Sequence, residues 1–222
     1  MIHKLYHYRF ESFLLSQLAI LFGSLLMPLS YFDIMSPIFF FLNIITGSFF
    51  IGKKDRVPVW FIIGVLIIVG AILYLSVYNE PPFKFLRVGV LFSFYLLSTY
   101  RLIKQIWEAK IVDRKIILGL ISGFISLGFV GFFIFFSIEL ITPGSFSGLP
   151  TIQDTTNSIT ERLMYFSYIT LLTIGYGDML PLTHLAQKAT ILVGLIGQIY
   201  LVVITAIVVG KYINQLPISK KE

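Results

Sequence analysis

Six apolar stretches joined by short polar or basic segments limit what this chain can fold into. Five lie near residues 12–32, 36–52, 57–78, 83–106 and 115–141, and the sixth runs from about 184 to 213. A helix of about 20 residues crosses the hydrocarbon core of a bilayer, so each stretch is read as a spanning helix. The second, bounded by Asp33 and Gly52-Lys53, is the shortest. Of the 222 residues, 57% are hydrophobic and 13% charged, too little polar surface to cover a water-soluble globule. The fold class is therefore an all-α membrane protein. The first stretch follows Lys4 and Arg9, but it is longer than a signal-peptide core and lacks a small-x-small cleavage site. It is read as a retained helix.

The net charge of +6 would suggest nucleic acid in a soluble protein. Here the basic residues cluster between apolar runs, so they report orientation, and no nucleic-acid partner is expected. With the amino terminus in the cytoplasm, the inner segments hold Lys4 and Arg9, then Lys53, Lys54 and Arg56, then Arg101, Lys104, Lys110, Arg114 and Lys115, and finally Lys211, Lys220 and Lys221. The outer half holds Lys84, Arg87, Arg162 and Lys188. Both termini are thus expected inside, in a multi-pass plasma-membrane protein. The absence of cysteine excludes disulfides, thiol catalysis and thiolate metal sites. His3, His7 and His184 have no metal-ligand spacing. No nucleophile-base pair or phosphate-binding glycine loop supports an enzyme, and no organic cofactor is expected.

Between the fifth and sixth stretches the pattern changes. A loop rich in Gly, Ser, Pro and Thr runs from about Thr142 to Asn157, followed by an apolar run from Thr160 to Leu172 that is too short to cross. It is read as a re-entrant helix over 160–172. Ser158 and Glu161 have the spacing of a capping box, or are a coincidental polar pair. Next comes Thr173-Ile174-Gly175-Tyr176-Gly177-Asp178. Irregular backbone at membrane depth must be buried in protein or line a water-filled path. Gly175 and Gly177 can adopt positive φ, which lets neighbouring carbonyls turn to one side and replace the water shell of a cation. Thr173 can add a hydroxyl oxygen, and the helix carboxyl end at Leu171 and Leu172 places partial negative charge nearby. Asp178 either concentrates cations at the outer mouth or hydrogen-bonds behind the strip, and the two roles are compatible.

The segment from Leu163 through Pro181 resembles the pore region of the potassium channel superfamily, whose Thr-Val-Gly-Tyr-Gly filter differs here only by Ile174. The resemblance covers about the last half of the chain. It implies that K+ is coordinated at Thr173, Ile174, Gly175, Tyr176 and Gly177. It further implies that Tyr165 and Phe166 form an aromatic cuff, that Thr170 is a supporting pore-helix threonine, and that Gly197 stands where a hinge glycine is common. The chain departs from some members at Ile169, where they carry a carboxylate that pairs with the aspartate after the filter. It departs again at Phe166, which lacks the N–H that tryptophan donates to the filter tyrosine. One filter segment cannot surround an ion, so a homotetramer is expected.

The expected organisation is a four-helix region over 1–110 and a pore domain over 111–222. The latter comprises outer helix 115–141, pore helix 160–172, filter 173–178 and inner helix 184–213. The fourth stretch has Arg87 near its outer end, then thirteen residues without a basic side chain, then Arg101 and Lys104. That is no gating-charge array, so the channel is expected to be voltage-independent. Asn43 is the one strongly polar residue inside the second stretch. Gly197 and Gly210 serve either as hinges or as packing positions. The linker from Gln105 to Lys115 is either an interfacial helix or a plain surface segment. The alternatives to a conducting channel are a non-conducting or regulatory membrane subunit, or a potassium transporter component. Membrane lipid is an expected partner, and a prokaryotic membrane the expected setting.

Overall fold

The computed structural model describes residues 8–26, 29–51, 81–149 and 156–215. Across them the chain is helical: α1 (Arg9–Leu26), α2 (Leu29–Ile51), α3 (Pro81–Glu108), α4 (Arg114–Ile141), α5 (Thr156–Leu171) and α6 (His184–Ile199), continued by a π-helical turn (Tyr200–Ile204) into α7 (Thr205–Gln215). Three helical segments among the described residues are long and apolar enough to cross a membrane: Arg9–Leu26, Arg114–Ile141 and His184–Gln215. The expected third span, 57–78, lies outside the described residues.

Several boundaries correct the sequence expectation. The sequence places the first span at 12–32 and the second at 36–52, with Asp33 between them; instead α1 ends at Leu26 and α2 begins at Leu29, so Asp33 is helical. Pro28 sits in the gap, and a proline disfavours helical backbone in the residue before it. The linker Gln105–Lys115 does not form an interfacial helix of its own. α3 continues through Glu108, and α4 starts at Arg114, where the Asp113 side chain accepts from the amide of Ile116. The five residues between them make α3 and α4 a tight antiparallel hairpin, packed along its length.

α4 is the spine against which α1, α3, α5 and α6 all pack. Its glycines let aromatic partners in. A Cβ on Gly128 would lie 2.2 Å from the Tyr168 ring, and one on Gly123 would lie 2.4 Å from the Tyr200 hydroxyl. Both phenols finish on α4 carbonyls, Tyr168 on Ile125 at 2.7 Å and Tyr200 on Leu120 at 2.6 Å. Small residues permit such close approach where lipid supplies no hydrophobic drive between helices.

The first three described helices join this spine through buried polar bonds. Gln17 Nε2 donates to Ser126 Oγ at 2.6 Å, Asn43 Nδ2 to Ser16 Oγ at 2.9 Å, and the Tyr95 hydroxyl to Asn43 Oδ1 at 2.8 Å. The Tyr95 ring lies among Phe94, Phe129 and Phe133, with centroids 5.2–5.7 Å away. α3 is thereby anchored at mid-length by both a hydrogen bond and ring packing. α7 is tied to the α3–α4 link. Lys211 Nζ donates to the carbonyls of Trp107 and Ala109, and the Gln215 amide pairs with both backbone groups of Val112.

Candidate ion pathway

The short helix α5, expected over 160–172, starts at Thr156 and ends at Leu171. Ser158 therefore has helix on both sides and cannot be the cap, which removes the capping-box alternative. The other end is continued directly into the strip. The amides of Leu172 and Thr173 donate to Tyr168 and Thr170, and those of Ile174 and Gly175 both donate to the Ile169 carbonyl, at 2.9–3.3 Å. The last carbonyls of α5 thus hold the strip by its N–H groups, leaving its own carbonyls free.

Backbone handedness alternates along the strip. Thr173 has φ 58°, Gly175 φ 54° and Gly177 φ 81°, while Ile174 and Tyr176 between them keep negative φ. Such alternation is the backbone pattern that allows neighbouring carbonyls to turn to one side. Among the described residues none donates a backbone hydrogen bond to a carbonyl from Thr173 to Gly177, and all five residues are exposed. Thr173 is the unusual member. A β-branched residue at positive φ is strained by about 1–3 kcal/mol, and such strain persists only where surrounding bonds impose it. The three amide bonds into α5 supply that imposition, and the sequence carried no signal for it.

The supporting residues separate. Phe166 is buried with Phe135 and Phe146, centroids 5.0 and 5.4 Å away, and so braces α5 against α4 and the outer loop. Tyr165 is partly exposed and lies close to Asp178. Ile169 is instead buried in the core. Tyr176 is 72% exposed, and among the described residues its hydroxyl has no partner within the chain. Thr170 contributes its backbone carbonyl to Thr173.

That arrangement places a strip of unbonded carbonyls, held by a short helix, between two long apolar helices. Residues 123–214 match a family model described as an ion channel. The matched span begins inside α4 and ends in α7, so it takes in α5, the strip, α6 and nearly all of α7. No curated protein and no solved structure matches the chain.

Within the matched span, Gly197 has a packing role. A Cβ there would stand 2.4 Å from the Leu171 carbonyl oxygen, so glycine is what lets α6 cross the end of the pore helix. Gly210 has open space around it. Three residues beyond Gly197 the inner helix, expected to be one helix over 184–213, changes to π geometry over Tyr200–Ile204. The Tyr200 bond to Leu120 fixes that turn against the outer helix.

The exit of the strip is stitched to the loop after α4. Ser147 N donates to Leu180 O at 2.9 Å, Leu182 N to Ser145 O at 2.8 Å, and Leu180 N to Ser147 Oγ at 2.9 Å. Glu139 starts this loop by accepting from Gly144 N at 2.7 Å and Ser145 N at 3.0 Å. A carboxylate in the last turn of a helix opposes the helix dipole and needs another reason to be there, the one signal in the sequence that marks Glu139. Glu139→Ala is expected to speed amide exchange at Gly144 and Ser145 by about tenfold or more, since hydrogen bonds to a charged group contribute about 1.5–3 kcal/mol. Unchanged protection in hydrogen–deuterium exchange would contradict this role.

Proposed function

We propose that the chain is a subunit of a potassium-selective channel in which four copies surround one axis. The observation that carries this is the alternation of φ at Thr173, Gly175 and Gly177, which frees a continuous run of backbone oxygens beside a helix carboxyl end. Carbonyl oxygens replace the hydration shell of a cation without placing a fixed charge in its path, and the Gly-Tyr-Gly core of the strip is the chemistry that favours K+. One strip provides one wall, so cyclic assembly of the same chain completes the site, and four is the number that the potassium channel resemblance implies. K+ is the permeant ion, coordinated at Thr173, Ile174, Gly175, Tyr176 and Gly177 with Asp178 at the outer mouth, and no organic cofactor takes part. The protein sits in the cell membrane with both termini in the cytoplasm.

The same proposal includes voltage independence. α3 carries too few basic residues to draw on the field, at about 2.3 kcal/mol per charge per 100 mV. Its mid-helix Tyr95 is committed to Asn43 and to ring packing, and Lys104 at its inner end pairs with Glu108 at 3.7 Å. The test is flux from liposomes holding the purified protein under a potassium gradient, with sodium as competitor. Potassium flux that resists sodium and is insensitive to the sign of an imposed voltage is expected. Equal passage of both ions, or a steep voltage dependence lost in Arg87→Gln, would overturn the corresponding half of the proposal.

A further inference from the structure

Ser167 and Tyr168 of α5 both end on α4. Ser167 Oγ donates to the Gly128 carbonyl and the Tyr168 hydroxyl to the Ile125 carbonyl, each at 2.7 Å. α4 is cut away to receive them: a Cβ on Gly131 would lie 2.5 Å from Ser167 Oγ, and one on Gly128 would strike the Tyr168 ring. Apolar side chains would fill the same sockets with no hydroxyl to satisfy, so space-filling alone does not account for this pair. A hydrogen bond is directional and fixes position along a helix axis, which apolar packing does less well. What it fixes here is the root of the strip. The Tyr168 carbonyl accepts from Leu172 N at 2.9 Å, and the next two carbonyls, of Ile169 and Thr170, hold the amides of Thr173, Ile174 and Gly175.

The Tyr168 ring also meets Phe129 edge-on, with centroids 6.0 Å apart and planes at 89°. Phe129 is wholly buried on α4, and its ring lies 5.2 Å from the Tyr95 ring of α3 and 6.3 Å from the Phe40 ring of α2. Tyr95 bonds to Asn43 of α2, and Asn43 to Ser16 of α1. A node that joins three helices by hydrogen bonds thus reaches, through one phenylalanine, the residue at the root of the strip. Rings packed at native density transmit displacement rather than absorb it. We infer that the stack Tyr95–Phe129–Tyr168 makes the filter's affinity for K+ depend on the seat of α3, with Tyr168 as a positioning residue. α1, α2 and α3 then have a regulatory task that needs no gating charge: they set the strip from behind α5. The inference rests on the reading of the strip as a potassium filter.

The test is calorimetric titration of K+ into the purified, sodium-exchanged full-length protein, paired with thermal unfolding in sodium alone. Tyr168→Phe keeps the ring and removes the bond to Ile125, so K+ affinity should fall about fivefold, as for the loss of one net hydrogen bond. Tyr95→Phe keeps its ring but frees it from Asn43, and should weaken K+ binding about threefold from a different helix. The double variant should fall short of the product of the two, because the residues share one stack. Tyr100→Phe, at an exposed position of α3, should leave affinity unchanged. Single variants that lose thermal stability in sodium yet bind K+ as the wild type does would overturn the inference, since the tyrosines would then only hold the fold. Effects that multiply in full would overturn the stack as the route. A wild type that binds no K+ in exchange for sodium would overturn the filter reading itself, and the inference with it.

Discussion

Gly175→Ala abolishes potassium-selective flux while the protein still folds and inserts. At Gly175 φ is 54°, and a Cβ there would meet no atom of the chain within 4 Å. The substitution therefore brings no clash inside the subunit, only the cost of about 1–2 kcal/mol that an L side chain meets in left-handed backbone. Such a cost is small against the stability of the helical bundle but large against the balance that keeps handedness alternating over five residues. If alanine relaxes to negative φ, the carbonyls on either side of it turn away and a dehydrated cation loses ligands. Circular dichroism and size-exclusion chromatography should match the wild type, and liposome flux should fall to background. Flux at the wild-type level from Gly175→Ala would mean that these carbonyls do not coordinate the ion.

Gly197→Ala should weaken the pore domain, whereas Gly210→Ala should not. The alanine Cβ at 197 would stand 2.4 Å from the Leu171 oxygen and 2.9 Å from Leu171 Cδ1, and the nearer atom is backbone that cannot swing aside. Relief requires α6 to move off the pore helix two residues before Thr173. Overpacking of this kind costs about 1–3 kcal/mol, and here it also displaces the seat of the filter. At Gly210 nothing lies within 4 Å, and alanine gains about 1 kcal/mol of helix propensity. Thermal unfolding of the assembled protein, followed alongside flux, separates the cases. A drop in both for Gly197→Ala, with Gly210→Ala unchanged or more stable, is the expected pattern. A Gly197→Ala protein of normal stability that merely opens differently would restore the hinge role.

The glycines show where sequence reasoning reached and where it stopped. Gly175 and Gly177 stand in a pattern that calls for positive φ, and their spacing alone marks the strip. Thr173 carries no such mark, because its left-handed backbone is imposed by bonds from three consecutive amides to α5. Gly197 was visible as a special position, but only the crossing of α6 over Leu171 decides between hinge and packing. The π turn at Tyr200–Ile204 has no sequence signature at all; it is held by one phenol reaching Leu120 over Gly123.

The helical boundaries tell a similar story. Long apolar runs located α4 and the inner helix closely, since a hydrocarbon core tolerates little else. The division of the first two helices followed charge at Asp33 when the stronger local constraint was Pro28 two residues after Leu26. The link after α3 was obscured because both flanking helices end in charged turns, so composition could not say where helix stopped. Tyr165 and Phe166, adjacent in sequence and assigned one shared role by resemblance, have different surroundings: Phe166 braces α4 and the outer loop, and Tyr165 is partly exposed close to Asp178.

The central claim is that the strip selects K+. The most direct measurement is the reversal potential of current through the reconstituted protein in a planar bilayer, with potassium on one side and sodium on the other. A reversal far from zero, in the direction set by potassium leaving its own compartment, is the result the account requires. A reversal near zero would contradict it, because the exposed carbonyls of Thr173 to Gly177 would then line a pore that does not tell the two ions apart.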